Sequence, residues 1–205
     1  LLEQVHELAD RRIRALVLNL LPTQPEFALP LALSRAALAD VLAGLALIQE
    51  TVRARRVLVV IDRHDHHLHT LGKRPSPVPP SPLSTTPAAG SPRGLSFRLV
   101  TLLNKYPQAH HTILLRSLFG KKVEPLMLPT AANRVVVDPV TCWALGRTTR
   151  LHAPFTERPV QVFLRTEKRD VAPRVVMATL GETVETFLER CGIAVTERVP
   201  HAFPA

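Results

Sequence analysis

Cysteine is almost missing from this 205-residue chain, which has only Cys142 and Cys191. Two thiols cannot by themselves build an iron–sulfur site or a four-cysteine zinc site. No secretion signal is recognisable, so both are expected reduced, as buried and inert side chains of a cytoplasmic-type protein. Glycine is also scarce, at eight residues. No Walker loop, Gly-x-Ser-x-Gly elbow or His-Glu-x-x-His motif occurs, which removes the sequence basis for nucleotidase, serine-hydrolase and zinc-protease readings. Aromatics make up only 4% of residues, too few for a base-stacking platform, so nucleic acid is not an expected partner. The most apolar run, Leu29 to Ile48, is interrupted by Pro30, Arg35 and Asp40, so no transmembrane segment is expected. The chain opens on Leu1, which points to a trimmed or partly recorded N-terminus.

What is present is enough chain for one substantial domain, or a domain with a small module. Proline is plentiful at nineteen residues, many of them between Pro75 and Pro92. The formal charge is +9, which favours an acidic protein partner or an acidic membrane face. The arginines are scattered through the sequence, as Arg11/Arg12/Arg14, Arg53/Arg55/Arg56 and Arg147/Arg150.

In chain order, residues 2–9 suit a short helical turn, and Ile13–Leu18 reads as a buried strand closed by Asn19. A proline-punctuated loop follows. Ser34 is expected to cap a long helix with Leu38, Val41, Leu42, Leu45, Ile48 and Val52 on one face and Arg53, Arg55 and Arg56 at its end. Val57–Ile61 is a second buried strand, so the first sixty residues form a βαβ unit with a parallel strand pair. Arg63 to Gly94 has no apolar period and reads as a disordered or polyproline-like insert.

Phe97–Leu103 resumes as a strand. In KYPQAHHTILLRSLFGKKV, residues 105–123, Pro107 suits the first turn of a helix and Gly120 the position after its end. Ile113, Leu114, Leu118 and Phe119 would face the core. The N-terminal end, with Gln108, His110, His111 and Thr112, presents free N–H groups to an anion. Val123–Asn133 reads as loop, Arg134–Val137 as a strand, and Val140–Gly146 as a short helix after Pro139. Val160–Thr166 and Arg174–Ala178 are strands, and Glu182–Cys191 is a helix stopped by Gly192. The last fifty residues therefore suggest a small α+β module.

The segments LVTLLNKYPQ, LLRSLFGKKV, VVVDPV and ERPVQVFLRTEKRDVAPRVVMATLGETVETFLERCG resemble the RnfC-type component of the Rnf electron-transport complex. More distantly they resemble the flavin- and NADH-binding subunit of respiratory complex I. The closing segment is similar to the soluble-ligand-binding β-grasp (SLBB) module of that family. The resemblance implies an α/β, Rossmann-like parallel-sheet domain of the complex I flavin-subunit type, followed by a small α+β, β-grasp-like module. Residues 1–62 and 97–152 would be its two halves, 63–96 an insert rich in Pro, Ser and His, and 153–205 an incomplete β-grasp module. It also implies FMN as cofactor, NADH as electron donor, and partners among the protein subunits of an electron-transfer or membrane-associated complex. Localisation would be cytoplasmic, peripheral on a membrane through that complex. By resemblance the FMN pocket would involve Asn19, Gln108, His110, His111 and Thr112.

Several positions depart from the family pattern. Its glycine-rich flavin loop would precede Leu1. The acidic NGAECEP-type loop reads Asn19-Leu20-Leu21-Pro22-Thr23-Gln24-Pro25-Glu26, without the acidic spacing. Ala109-His110-His111-Thr112 stands where GEET is expected. Asp138-Pro139 replaces an NVGT-type turn, and there the carboxylate repels a phosphate and the proline has no N–H to offer. The cysteine-rich ferredoxin segment has no counterpart before Ala205, so no iron–sulfur cluster is expected in this chain. The expectation is a non-catalytic or weakly cofactor-binding structural subunit with no catalytic residues. The alternatives are an active FMN-binding NADH-dehydrogenase-type subunit and a histidine-rich metal-binding protein. The last rests on His64, His66, His67 and His69, whose imidazoles beside Asp65 suit zinc, nickel or copper. His110 and His111, adjacent on a helix, would diverge by about 100° and share no metal.

Overall fold

The computed structural model describes residues 13–24, 27–65, 68, 95–120, 129–152, 154–165 and 170–193. The chain divides into two units, Leu1–Phe155 and Thr156–Ala205. The first is built on four strands, β1 (Ala15–Asn19), β2 (Val57–Asp62), β3 (Arg98–Leu102) and β4 (Arg134–Val137). They are all parallel, in the order β3-β2-β1-β4. Helices α1 (Leu29–Ala36) and α2 (Leu38–Val52) connect β1 to β2, α3 (His111–Phe119) lies between β3 and β4, and α4 (Pro139–Leu151) follows β4. This is a Rossmann-like α/β arrangement in which chain order reverses between β1 and β4.

The central strands β1 and β2 form because their residues are apolar, many of them β-branched, and both of their faces are covered, whereas the outer β3 and β4 are only partly buried. Ala15, Leu16, Val17, Leu18, Val59, Val60 and Ile61 are all at most 1% exposed, so strand alternation has no polar side to show. Val17 and Val60 pack with Leu21, Ala109, Leu114 and Leu115 in the α3 layer. Strand alternation turns Leu16, Leu18, Val59 and Ile61 to the other face. The buried Val41, Leu45, Cys142 and Trp143 come from α2 and α4. Each fully buried aliphatic side chain contributes about 1.5–3 kcal/mol.

Helices α2 and α4 cross at two glycines. A Cβ on Gly44 would overlap the Cys142 carbonyl, and one on Gly146 would overlap the Asp40 carbonyl. Beside the crossing, the buried Asp40 carboxylate is held by the Arg150 guanidinium, Nε to Oδ1 at 2.7 Å and Nη2 to Oδ2 at 3.2 Å.

Several elements differ from the sequence reading. Ser34 does not cap the long helix: it lies inside α1, fully buried, and its hydroxyl donates to the Pro30 carbonyl at 2.7 Å. Pro30 lies in the first turn of α1, and the chain bends by 99° at the break between α1 and α2. No single described helix is long and apolar enough to cross a membrane. Pro107 precedes α3 rather than opening it, because its own carbonyl accepts the His110 N–H in a turn before the helix. On α3, Leu114 and Leu115 are buried and Leu118 and Phe119 pack against the same cluster, so the core face is the expected one with Leu115 in place of Ile113. Helix α4 runs five residues beyond Gly146, whose missing side chain admits α2 instead of ending the helix. The expected turn at residues 2–9 lies outside the described residues. So do 66–67 and 69–94 of the expected insert, although Arg63–Asp65 form a turn after β2 and Leu68 and Leu95 are buried.

The second unit pairs β5 (Glu157–Arg165) with β6 (Asp170–Thr179) antiparallel, with a register irregularity between Val162 and Leu164, and adds α5 (Val184–Arg190). Thr183 caps α5 by accepting the Thr186 N–H at 3.2 Å. Arg190 ties the helix back, donating to the Met177 carbonyl at 2.6 Å and to both Glu182 oxygens at 2.9 Å. Those bonds hold the Glu182 carboxyl below its ordinary range. Cys191 is half-buried at the end of α5 rather than inside it, which departs from the buried-thiol expectation.

Candidate functional site

In an open parallel sheet the strand C-termini and their loops form the ligand edge, and the crevice lies where chain order reverses. Here that point is between β1 and β4. Leu18 is in register with Val137, so Asn19 and Asp138, one residue on, flank the mouth of the crevice.

Asn19 is partly buried, and both ends of its amide are engaged. Nδ2 donates to the Ala109 carbonyl at 3.0 Å, and Oδ1 accepts the Leu21 N–H at 3.2 Å. The first bond fastens the 105–110 loop to the end of β1. It therefore places His110, His111 and Thr112, at the start of α3, beside the crevice. His110 is extended, at φ −63° and ψ 131°, and caps α3 without a side-chain bond. Because His110 is not helical, the two imidazoles do not diverge as expected; their centroids are 4.3 Å apart with a 32° tilt. Burial, and then the neighbouring His110, lowers the pKa of His111.

Gln108, expected at the same place, turns elsewhere. Its Nε2 donates to Ser117 Oγ at 2.6 Å, and Ser117 in turn donates to the Ile113 carbonyl. With Arg63, Thr101, Leu103 and Lys105 it lines a cavity of about 430 Å³ beyond β3.

Asp138 caps α4, accepting the Thr141 N–H at 2.9 Å and the Thr141 hydroxyl at 2.7 Å, with Pro139 in the first turn. The carboxylate thus occupies the end of the helix that would otherwise offer N–H groups to an anion. Burial, with the Asp138 charge second, raises the pKa of Cys142 far above its ordinary value, so this fully buried thiol stays protonated and unreactive.

At the end of β2, Asp62 accepts the His64 N–H at 3.0 Å. The buried Asp65 accepts from Arg35 at 3.2 Å and from the Leu68 N–H at 3.3 Å. His64 lines a cavity of about 150 Å³ with Leu20, Arg35, Asp62 and Asn104. His66, His67 and His69 lie outside the described residues. Among the described residues, no group of three His, Cys, Asp or Glu side chains is placed to hold a metal ion. The cap made by Asp138 and the Asp65–Arg35 link were not anticipated. The Asp-Pro-x-Thr spacing at 138–141 is a readable start signal for a helix, whereas Asp65 and Arg35 are thirty residues apart and carry no local signal.

No protein-family model and no curated protein matches the chain. Among solved structures it is similar to a chain of the crystal structure of an NAD+-reducing [NiFe]-hydrogenase in the air-oxidized state, at 13% identity and a TM-score of 0.63. The match covers 91% of this chain and 34% of the other, so the chain spans about a third of that chain's length. At this identity the likeness shows the fold.

Proposed function

We propose that the chain is a non-catalytic structural subunit of an electron-transfer complex, related by descent to NADH- and FMN-binding input subunits of the Rnf and complex I type. The fold shared with a chain of an NAD+-reducing hydrogenase supports the electron-transfer lineage. The observation that carries the loss of cofactor binding is the internal use of the polar groups at the crevice. Asp138 caps α4 through Thr141, and the Asn19 amide is held between Ala109 and Leu21. A flavin phosphate at that helix end would meet a carboxylate and a proline without an N–H, so the residues present do not fit the group. The test is the visible absorption spectrum of the purified protein. A colourless protein is expected, and stoichiometric flavin bands would refute the reading.

The second reading, a working FMN subunit, draws on one feature. The start of α3 carries no side-chain cap, and it follows directly on Ala109, whose carbonyl Asn19 holds at the end of β1.

A further inference from the structure

Arginines scattered in the sequence are gathered by the parallel topology. All strands of a parallel sheet begin at one edge. Here Arg14 precedes β1, Arg55 and Arg56 precede β2, and β3 and β4 open with Arg98 and Arg134. The register places Ala15 beside Arg134 and Leu58 beside Arg98. Backbone bonds hold the flanking residues to the same edge, with the Arg14 N–H on the Asn133 carbonyl at 2.8 Å and the Arg55 N–H on the Ile13 carbonyl at 3.3 Å. Arg53, at the end of α2, completes the group. Five of these six side chains are exposed, and Arg134 is half-buried with its guanidinium 4.0 Å from the Phe119 ring centre.

Among the described residues, no ion pair joins any of the six to a carboxylate. Asp62, Asp65 and Asp138 all lie at the opposite, C-terminal edge, and Asp40 is taken by Arg150. Glu50, one turn before Arg53, is the acid nearest this edge on α2. Among the described residues of this unit, the strand starts thus bear arginines and no carboxylate, whereas Asp62, Asp65 and Asp138 stand at the strand ends together with Arg35, Arg63 and Lys105.

We propose that this N-terminal edge is a docking surface for an acidic protein segment, whose Asp and Glu side chains pair with the arginine row. Four strand starts about 4.8 Å apart span roughly 14 Å. Carboxylates on one face of a helix recur about every 6 Å, and on one face of an extended segment about every 7 Å, so two or three of them match the row. The guanidinium fork suits bidentate carboxylate pairing. Nucleic acid fits less well. Of the exposed aromatics described in this unit, Tyr106 follows β3 at the opposite edge and Phe155 packs edge-on against Trp143. Arg53 adds a separate indication: it sits at φ 49°, in the left-handed region where glycine is favoured, so the helix end itself does not call for arginine. The proposal holds whether or not the opposite edge accommodates flavin.

The test is binding of a fluorescent oligoglutamate peptide to the full chain, with duplex DNA and anionic phosphatidylserine vesicles as competing probes. The triple substitution Arg55→Ala, Arg56→Ala, Arg98→Ala is expected to weaken peptide binding by about tenfold or more and to flatten its salt dependence. The control triple Arg116→Ala, Arg158→Ala, Arg174→Ala removes the same charge elsewhere and should change affinity by less than about twofold. Arg53→Gly should weaken binding while leaving the unfolding midpoint unchanged or raised, which separates charge from folding. Equal losses in the two triples, no peptide binding, or tighter binding of DNA or vesicles than of peptide would overturn the proposal.

Discussion

Replacing Gly44 with alanine should destabilise the protein, which is the reverse of what the same change does on an exposed helix. In an ordinary helix interior, glycine to alanine gains about 1 kcal/mol. At Gly44 the added Cβ would occupy the space of the Cys142 carbonyl, which is backbone and cannot rotate away. Overpacking a close-packed site costs about 1–3 kcal/mol, and a backbone obstacle puts this case at or above the top of that range. The net expectation is a loss of about 2 kcal/mol. For a domain of this size that lowers the midpoint by about 4–8 °C in a thermal melt followed by circular dichroism. Gly146→Ala should behave alike, because its Cβ meets the Asp40 carbonyl. The double substitution should cost less than the sum, since parting the helices once relieves both collisions. A midpoint that rises in either single variant would refute the close crossing of α2 and α4.

Asn19→Ala removes both the tether to the Ala109 carbonyl and the acceptor for the Leu21 N–H, and should cost about 1–3 kcal/mol in urea unfolding, with faster amide exchange at Leu21. Unchanged stability and exchange would mean that Asn19 does not hold the loop. His111 has a folded-state pKa below its ordinary 6.5, so the unfolded chain binds that proton more readily. Stability should therefore decline as pH falls through about 6.5, down to the lowered folded-state value, and His111→Asn should flatten that part of the profile. A wild-type profile that stays level between about pH 7 and 5 would contradict this.

The parallel sheet was legible because VLVVI and RVVV are short, β-branched and flanked by punctuating residues, and both proved to be strands. The helices read less well where a residue had two meanings. Gly146 looked like a stop but is a packing contact, and Ser34 looked like a cap but is a buried hydroxyl bonded within its own helix. At the candidate site, residue types near the crevice were readable but their partners were not. Nothing local says that the Asn19 amide reaches Ala109, ninety positions away, or that Gln108 turns to Ser117. The arginine row shows the same limit: the residues are plain in the sequence, but only the strand register places Arg14, Arg98 and Arg134 along one edge.

If the fold persists while the crevice between β1 and β4 no longer takes a flavin phosphate, added FMN should find no site. Titrating FMN into the protein and following quenching of flavin fluorescence tests this most directly. No saturable quenching is expected up to about 100 µM FMN, which corresponds to binding weaker than about −5.5 kcal/mol. Stoichiometric quenching with a Kd near or below about 1 µM, about −8.2 kcal/mol, would contradict it.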